Sequence, residues 1–255
     1  MPRYVALIPA AGAGSRFGDE RPKQYMDLLG KPMLAHSIET LARHPRISAV
    51  SVVIAPGDSW FQQFDWNAGG VKLQFHRVGG SSRAESVLRG LKALGEDVGE
   101  DDWVLVHDAA RPCLSIELID RLIEEVGNDA IGGLLAVRVA DTLKTADDSN
   151  RVRATRSRDS TWSAQTPQMF RRSLIERALS EMQSADVTDE SSAVEWLGFQ
   201  PLLVESSSEN LKVTYPADQK LADTILRSRM QPARGPADDE PASDEPARNT
   251  QTTAP

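Results

Sequence analysis

The sequence predicts an α/β fold: a mostly parallel central sheet flanked by helices, with a β-hairpin arm projecting from it. Three observations carry this. Val/Ile/Leu-rich runs alternate with helix-period segments, the pattern of a layered sheet. The first run, residues 4–9, empties into a stretch of very small residues, Ala10-Ala11-Gly12-Ala13-Gly14. A long polar, Arg-rich stretch, residues 141–163, then breaks the alternation. With 255 residues, the chain suits one such domain or at most two small ones.

In order, strands are expected at 4–9, 47–55, 71–78, 103–107 and 131–139, and helices near 32–43, 58–65, 82–94 and 115–126. In the third helix Ala84, Val87, Leu88, Leu91 and Leu94 recur at helical spacing behind Ser82, a good N-cap. Within 141–163, short alternating segments around Thr142–Lys144 and Val152–Thr155 flank Asp147-Asp148-Ser149-Asn150, a turn sequence, so the stretch reads as a hairpin arm. A polar segment of that length inside a compact domain is usually functional or reaches a partner. Helices near 171–183 and 189–196, a strand at 199–204 and a helix from about 216 to 229 complete a domain spanning 1–230. Residues 231–255 hold five of the fifteen prolines and no aliphatic side chain larger than Ala. Such a segment cannot bury enough surface to offset its ordering entropy, and it reads as a disordered tail.

The formal charge of −8 argues against a nucleic-acid surface. No apolar run approaches the roughly 20 residues of a membrane span, and Met1-Pro2-Arg3 leads straight into the first strand, so no secretory signal is expected. Cys113 is the only cysteine, which excludes a disulfide framework and suits a cytoplasmic setting. It reads as a core residue. His36, His44, His76 and His107 show no metal-ligand pairing, so a zinc site is not expected.

The chemistry begins where the first strand ends. Ala10 through Gly14 let backbone N–H groups approach phosphate oxygens and form an anion nest. Arg16 and Lys23 add the charge that neutral amides lack. This is neither a Walker loop, since no Lys-Ser or Lys-Thr follows the glycines, nor a dinucleotide fingerprint, since Gly12, Gly14 and Gly18 are spaced G-x-G-x-x-x-G. In Gly79-Gly80-Ser81-Ser82-Arg83-Ala84-Glu85-Ser86, paired glycines precede a helix, where backbone groups and Ser86 can read a pyrimidine edge. His107-Asp108-Ala109-Ala110-Arg111-Pro112 closes the fourth strand. Ligands of open α/β sheets sit beyond strand carboxyl ends, so Asp108 is placed for a ribose hydroxyl or hydrated Mg²⁺ and Arg111 for an anionic substrate. Thr166, held extended before Pro167, offers a hydroxyl donor.

Together PAAGAGSRFG, PKQY, GGSSRAESV, WVLVHDAARP, the DTLK of the arm, QTPQ, TDESSAVE and NLKVT run in order from Val5 to about Leu226. The set resembles the 2-C-methyl-D-erythritol 4-phosphate cytidylyltransferases. The resemblance implies a Rossmann-like nucleotidyltransferase fold. It also implies transfer of CMP from CTP to the methylerythritol phosphate, with Mg²⁺, in isoprenoid precursor synthesis. The family further implies a homodimer whose arms cross so that each site borrows from its neighbour.

Carried over by motif, the nucleotide side is Pro9, Ala10, Ala11, Gly12, Gly80, Ser81, Ser86, Asp108 and Ala109, with Arg16 and Lys23 on the phosphates. Ser81 stands where some relatives have an acidic residue. The sugar-phosphate side is Arg111, Thr142, Arg158, Thr166, Thr188 and Lys212, of which Arg158 and Lys212 would hold the attacking phosphate. No protein-built metal site is expected; Mg²⁺ would ride on the CTP phosphates, with Asp108 its candidate ligand. Ribitol 5-phosphate cytidylyltransferases share most of these motifs.

Overall fold

A computed structural model describes residues 2–12, 21–66, 69–182 and 188–230. The tail beyond Met230 and Arg16 of the glycine loop lie outside the described residues. The buried first run forms β1 (Tyr4–Pro9). A small ribbon follows, β2 (Asp27–Leu28) against β3 (Lys31–Pro32), and leads into α1 (Met33–Arg43). Next come β4 (Ile47–Val53), β5 (Lys72–His76), α2 (Arg83–Ala93), β6 (Trp103–Val106), α3 (Ile116–Val126) and β7 (Gly132–Arg138). The arm is β8 (Leu143–Ala146) paired with β9 (Val152–Arg156) as an antiparallel ribbon. The chain returns through β10 (Trp162–Arg171), α4 (Arg172–Glu181), α5 (Glu190–Trp196), β11 (Leu202–Glu205) and α6 (Pro216–Met230).

Among the described residues the main sheet has seven strands in the order β11-β7-β10-β6-β1-β4-β5. All neighbours are parallel except β10, which runs antiparallel to both β6 and β7. Strand side chains alternate between faces, and β1 shows the result. Ala6 and Ile8 join one core with α1 and α3, while Val5 and Leu7 join another with α2, α4 and α5. A third, smaller cluster seats α6 through Ala222 against Leu28, Met33, Cys113 and Val213. Cys113 is fully buried, and burial pushes its thiol up to about 11, as fits a core residue.

Two expectations need correction. The helix expected over 58–65 is only a 3-10 turn, Phe61–Gln63. Asp58 there accepts from the backbone N–H groups of Trp60 and Phe61, while Phe61, Phe64 and Trp66 stack among themselves and on Tyr25 and Phe75. Packing of large rings overrides a weak helical preference. Residues 162–171 were expected to hold only the end of the arm and the QTPQ motif, yet they form β10, a central strand. Its polar Gln165, Thr166 and Gln168 are all buried, which hides it from a search for apolar runs.

Candidate nucleotide-binding site

The site lies beyond the carboxyl ends of β1 and β6 and before α2, where an open sheet offers a crevice. A cavity of about 360 Å³ is lined there by Pro9, Ala10, Ala11, Gly12, Lys23, Gln24, Gly80, Ser81, Ser82, Arg83, Ser86, Asp108, Ala109, Ala110 and Lys212. Every described residue assigned to the nucleotide side is in that lining, together with Lys23 and Lys212.

Local chemistry fixes each wall. The Gln24 amide donates to the carbonyl of Ala10 at 2.8 Å, tying the loop after β1 to the Lys23 segment. A Cβ at Gly79 would lie 2.3 Å from that of Ala11, so only glycine lets the two loops approach this closely. Ser86 Oγ accepts from the Gly80 N–H at 3.0 Å and donates to the Ser82 carbonyl at 2.8 Å. Its proton is therefore spent on shaping the loop, and it presents lone-pair surface to the cavity. Ser82 caps α2 through the N–H of Glu85. Glu85 in turn accepts from the N–H and hydroxyl of Ser81 at 2.6 and 2.7 Å.

Among the described residues Asp108 is the only carboxylate in the lining, and it is buried. Its Oδ1 accepts from Arg83 Nε at 2.8 Å and its Oδ2 faces Lys212 Nζ at 2.8 Å. Burial alone would raise this carboxyl, but the two cations outweigh it and hold Asp108 well below the usual carboxylate range. Lys23 Nζ donates to the Val213 carbonyl at 2.7 Å, next to Lys212, so both lysines meet at one edge of the cavity.

Behind the site lies a buried relay. Burial lowers His107 to about 4, so the imidazole is neutral near pH 7. Its Nε2 faces the Arg111 carbonyl at 3.1 Å and must carry the proton; Nδ1 then accepts from the Thr166 hydroxyl at 3.1 Å. The same hydroxyl accepts from the Asp108 N–H at 3.0 Å. Thr166 thus spends its proton on His107 while it holds the backbone of Asp108. Arg111 is also turned inward, donating to the carbonyls of Asn210 and Ala164 at 2.7 and 3.3 Å. Neither lines the cavity.

The remaining acceptor-side residues do not line this cavity. Thr142, Arg158 and Thr188 are exposed, and the Arg158 guanidinium donates to the Ala140 carbonyl at the root of the arm. Two residues escaped the sequence reading. Arg83 opens α2, where an arginine ordinarily reads as solvated. Glu190 sits in TDESSAVE yet is completely buried on Arg83. A carboxylate in an otherwise helical Ser/Ala/Val stretch gives little notice of that.

No three His, Cys, Asp or Glu side chains among the described residues cluster as a metal cage. Mg²⁺ is commonly held by one or two carboxylates plus substrate phosphates, and the one carboxylate that lines the cavity among the described residues fits that mode.

The sheet, the small-residue loop and the lysine-edged cavity are those of a Rossmann-like nucleotidyltransferase. The sequence model of the 2-C-methyl-D-erythritol 4-phosphate cytidylyltransferase (IspD) family matches residues 4–228, and the chain belongs to that family. Its relative of that name from Dechloromonas aromatica is 56% identical over 229 residues, covering 90% of this chain and 100% of the relative. Among solved structures, a 4-diphosphocytidyl-2C-methyl-D-erythritol synthase aligns with a TM-score of 0.78 at 40% identity, covering 89% of this chain and 99% of that one. The cytidylyltransferase of Francisella tularensis aligns at 0.75 and 36% identity, covering 88% and 100%.

Proposed function

We propose that this chain transfers CMP from CTP to 2-C-methyl-D-erythritol 4-phosphate, releasing pyrophosphate and giving 4-diphosphocytidyl-2-C-methyl-D-erythritol for isoprenoid precursor synthesis. The observation that carries the reading is the meeting of Lys23 and Lys212 with the loop after Pro9 and with Asp108 in one cavity. Family membership supplies the two substrates.

An oxygen of the acceptor phosphate attacks the α-phosphorus of CTP in line. A new P–O bond forms as the α–β bridging P–O bond breaks, and its electron pair leaves on pyrophosphate. A phosphate dianion is already nucleophilic near neutral pH, so no general base is needed. The work left to the protein is positioning and charge neutralisation. Backbone N–H groups after Pro9 cradle the triphosphate, and Lys23, with Arg16, neutralises it. Lys212 exchanges Asp108 for the acceptor phosphate. Mg²⁺, when bound, neutralises further triphosphate charge, and Asp108 is the residue that would hold it.

The acceptor side is completed by a homodimer. Thr142 and Arg158 sit on an exposed arm whose strands carry no core face, β9 being exposed throughout, so the arm of one subunit brings them to the cavity of the other. No helix among the described residues is long and apolar enough to cross a membrane, and with a single buried cysteine this favours a cytoplasmic enzyme. The test is pyrophosphate release from CTP and Mg²⁺ against a panel of polyol phosphates. Release should be fastest with 2-C-methyl-D-erythritol 4-phosphate. Faster release with ribitol 5-phosphate would reassign the acceptor.

A further inference from the structure

Glu190 is an expensive residue to place where it is. Its side chain is 1% exposed and it stands at the start of α5, distant in sequence from every cavity residue. It is held there firmly. Gln168 of β10 accepts from the Ser191 N–H at 2.8 Å and donates to Asp189 Oδ2 at 2.8 Å, pinning the first turn of α5 to the central sheet. From that position Glu190 takes both terminal nitrogens of Arg83, at 2.5 and 2.9 Å. Nε of the same guanidinium donates to Asp108 Oδ1 at 2.8 Å.

The consequence lies in how the charges are shared. A guanidinium free to choose would pair with Asp108 through two nitrogens and neutralise it alone. With its terminal nitrogens fixed on Glu190, Arg83 is held where its Nε meets one oxygen of Asp108, and the other oxygen faces Lys212, whose side chain is 45% exposed. Lys212 can then leave without stranding Asp108, because Arg83 remains on it. We propose that Glu190 is a positioning residue for nucleotide binding: by fixing the fork of Arg83, it presents Asp108 with one oxygen held inside the chain and the other turned to the cavity. The inference rests on the cavity being the CTP site.

CTP binding in Mg²⁺ buffer, measured by calorimetry, tests it. Glu190→Gln keeps the shape but removes the charge; Arg83→Lys keeps the charge but removes the fork. Each should weaken CTP binding about tenfold. In an Asp108→Asn background, which binds CTP through the remaining loop contacts, neither substitution should weaken it further, because the route through Asp108 is already cut. A purely structural role would weaken binding equally in both backgrounds, and that additivity would overturn the inference. Arg83→Lys, at the cavity lip, carries the test if Glu190→Gln does not fold. Wild-type chain that fails to bind CTP overturns the functional reading itself. Wild-type binding with both single variants unaffected overturns only this inference.

Discussion

The cavity and the arm present their cations in opposite ways. In the cavity, a buried carboxylate is bonded to its cations and backed by a second layer: Asp108 between Arg83 and Lys212, its N–H on Thr166, Thr166 on His107. In the arm, β9 is exposed along its whole length and Arg158 is an exposed side chain at the root. Preorganised groups bind a ligand without reorganising. Groups on a solvated ribbon acquire a fixed geometry only against another surface. The difference is what the proposed reading rests on: the groups assigned to the nucleotide are fixed within one chain together with Lys212, while the arm's groups await another surface.

The largest test of the cavity's side of this contrast is Lys23→Ala. Removing one preorganised charge donor costs on the order of 10²–10³ in rate, and kcat should fall by that much while the thermal midpoint stays within a few degrees. A folded variant with near-normal turnover would remove Lys23 from catalysis.

The backing layer should show itself in acid. His107 titrates near 4 when folded against about 6.5 in an unfolded chain. A lowered folded value means the contribution is full above about 6.5 and lost as pH falls towards 4, a swing of about 3 kcal/mol. By urea unfolding, His107→Gln should be less stable than wild type at pH 7, and the gap should close by about that amount at pH 4. A gap independent of pH would mean that His107 is not held neutral by the fold.

A smaller effect is expected in nucleotide choice. The close approach of Gly79 to Ala11 leaves a tight turn beside the base, so kcat/KM for CTP should exceed that for ATP or GTP by at least about tenfold, or 1.4 kcal/mol. Equal use of a purine triphosphate would break the cytosine assignment. The smallest effect concerns the tail. A chain ending at Met230 loses no cavity residue and no matched motif, and should keep its activity. Its melting temperature should stay within about 4 °C of the full chain, roughly 1–2 kcal/mol for a domain of this size; a larger fall would show that the tail packs on the body.

Much of this was legible in the chain, for identifiable reasons. β1, β4 and β6 announce themselves because buried parallel strands read as continuous apolar runs, and the loop after Pro9 because close backbone approach demands small residues. What sequence hides is polarity turned inward. β10 carries Gln165, Thr166 and Gln168 into the centre of the sheet, where Gln168 braces α5 and Thr166 braces Asp108. Arg111 was legible as a cation of the site, but not its hold on two backbone carbonyls, those of Asn210 and Ala164. Charge type marks a residue as special; which way it faces is decided by tertiary packing.

The most direct test of the division between cavity and arm is complementation between two damaged chains. Lys23→Ala removes a cavity cation and Arg158→Ala an arm cation, and each protein alone should be nearly inactive. When the two are mixed and their subunits re-equilibrated, each mixed dimer gathers both lesions in one site and leaves the other intact. Activity should therefore return to about one quarter of the wild-type level, since random exchange makes half the dimers mixed. No recovery despite demonstrated subunit exchange would place Arg158 in its own subunit's site and contradict the shared one.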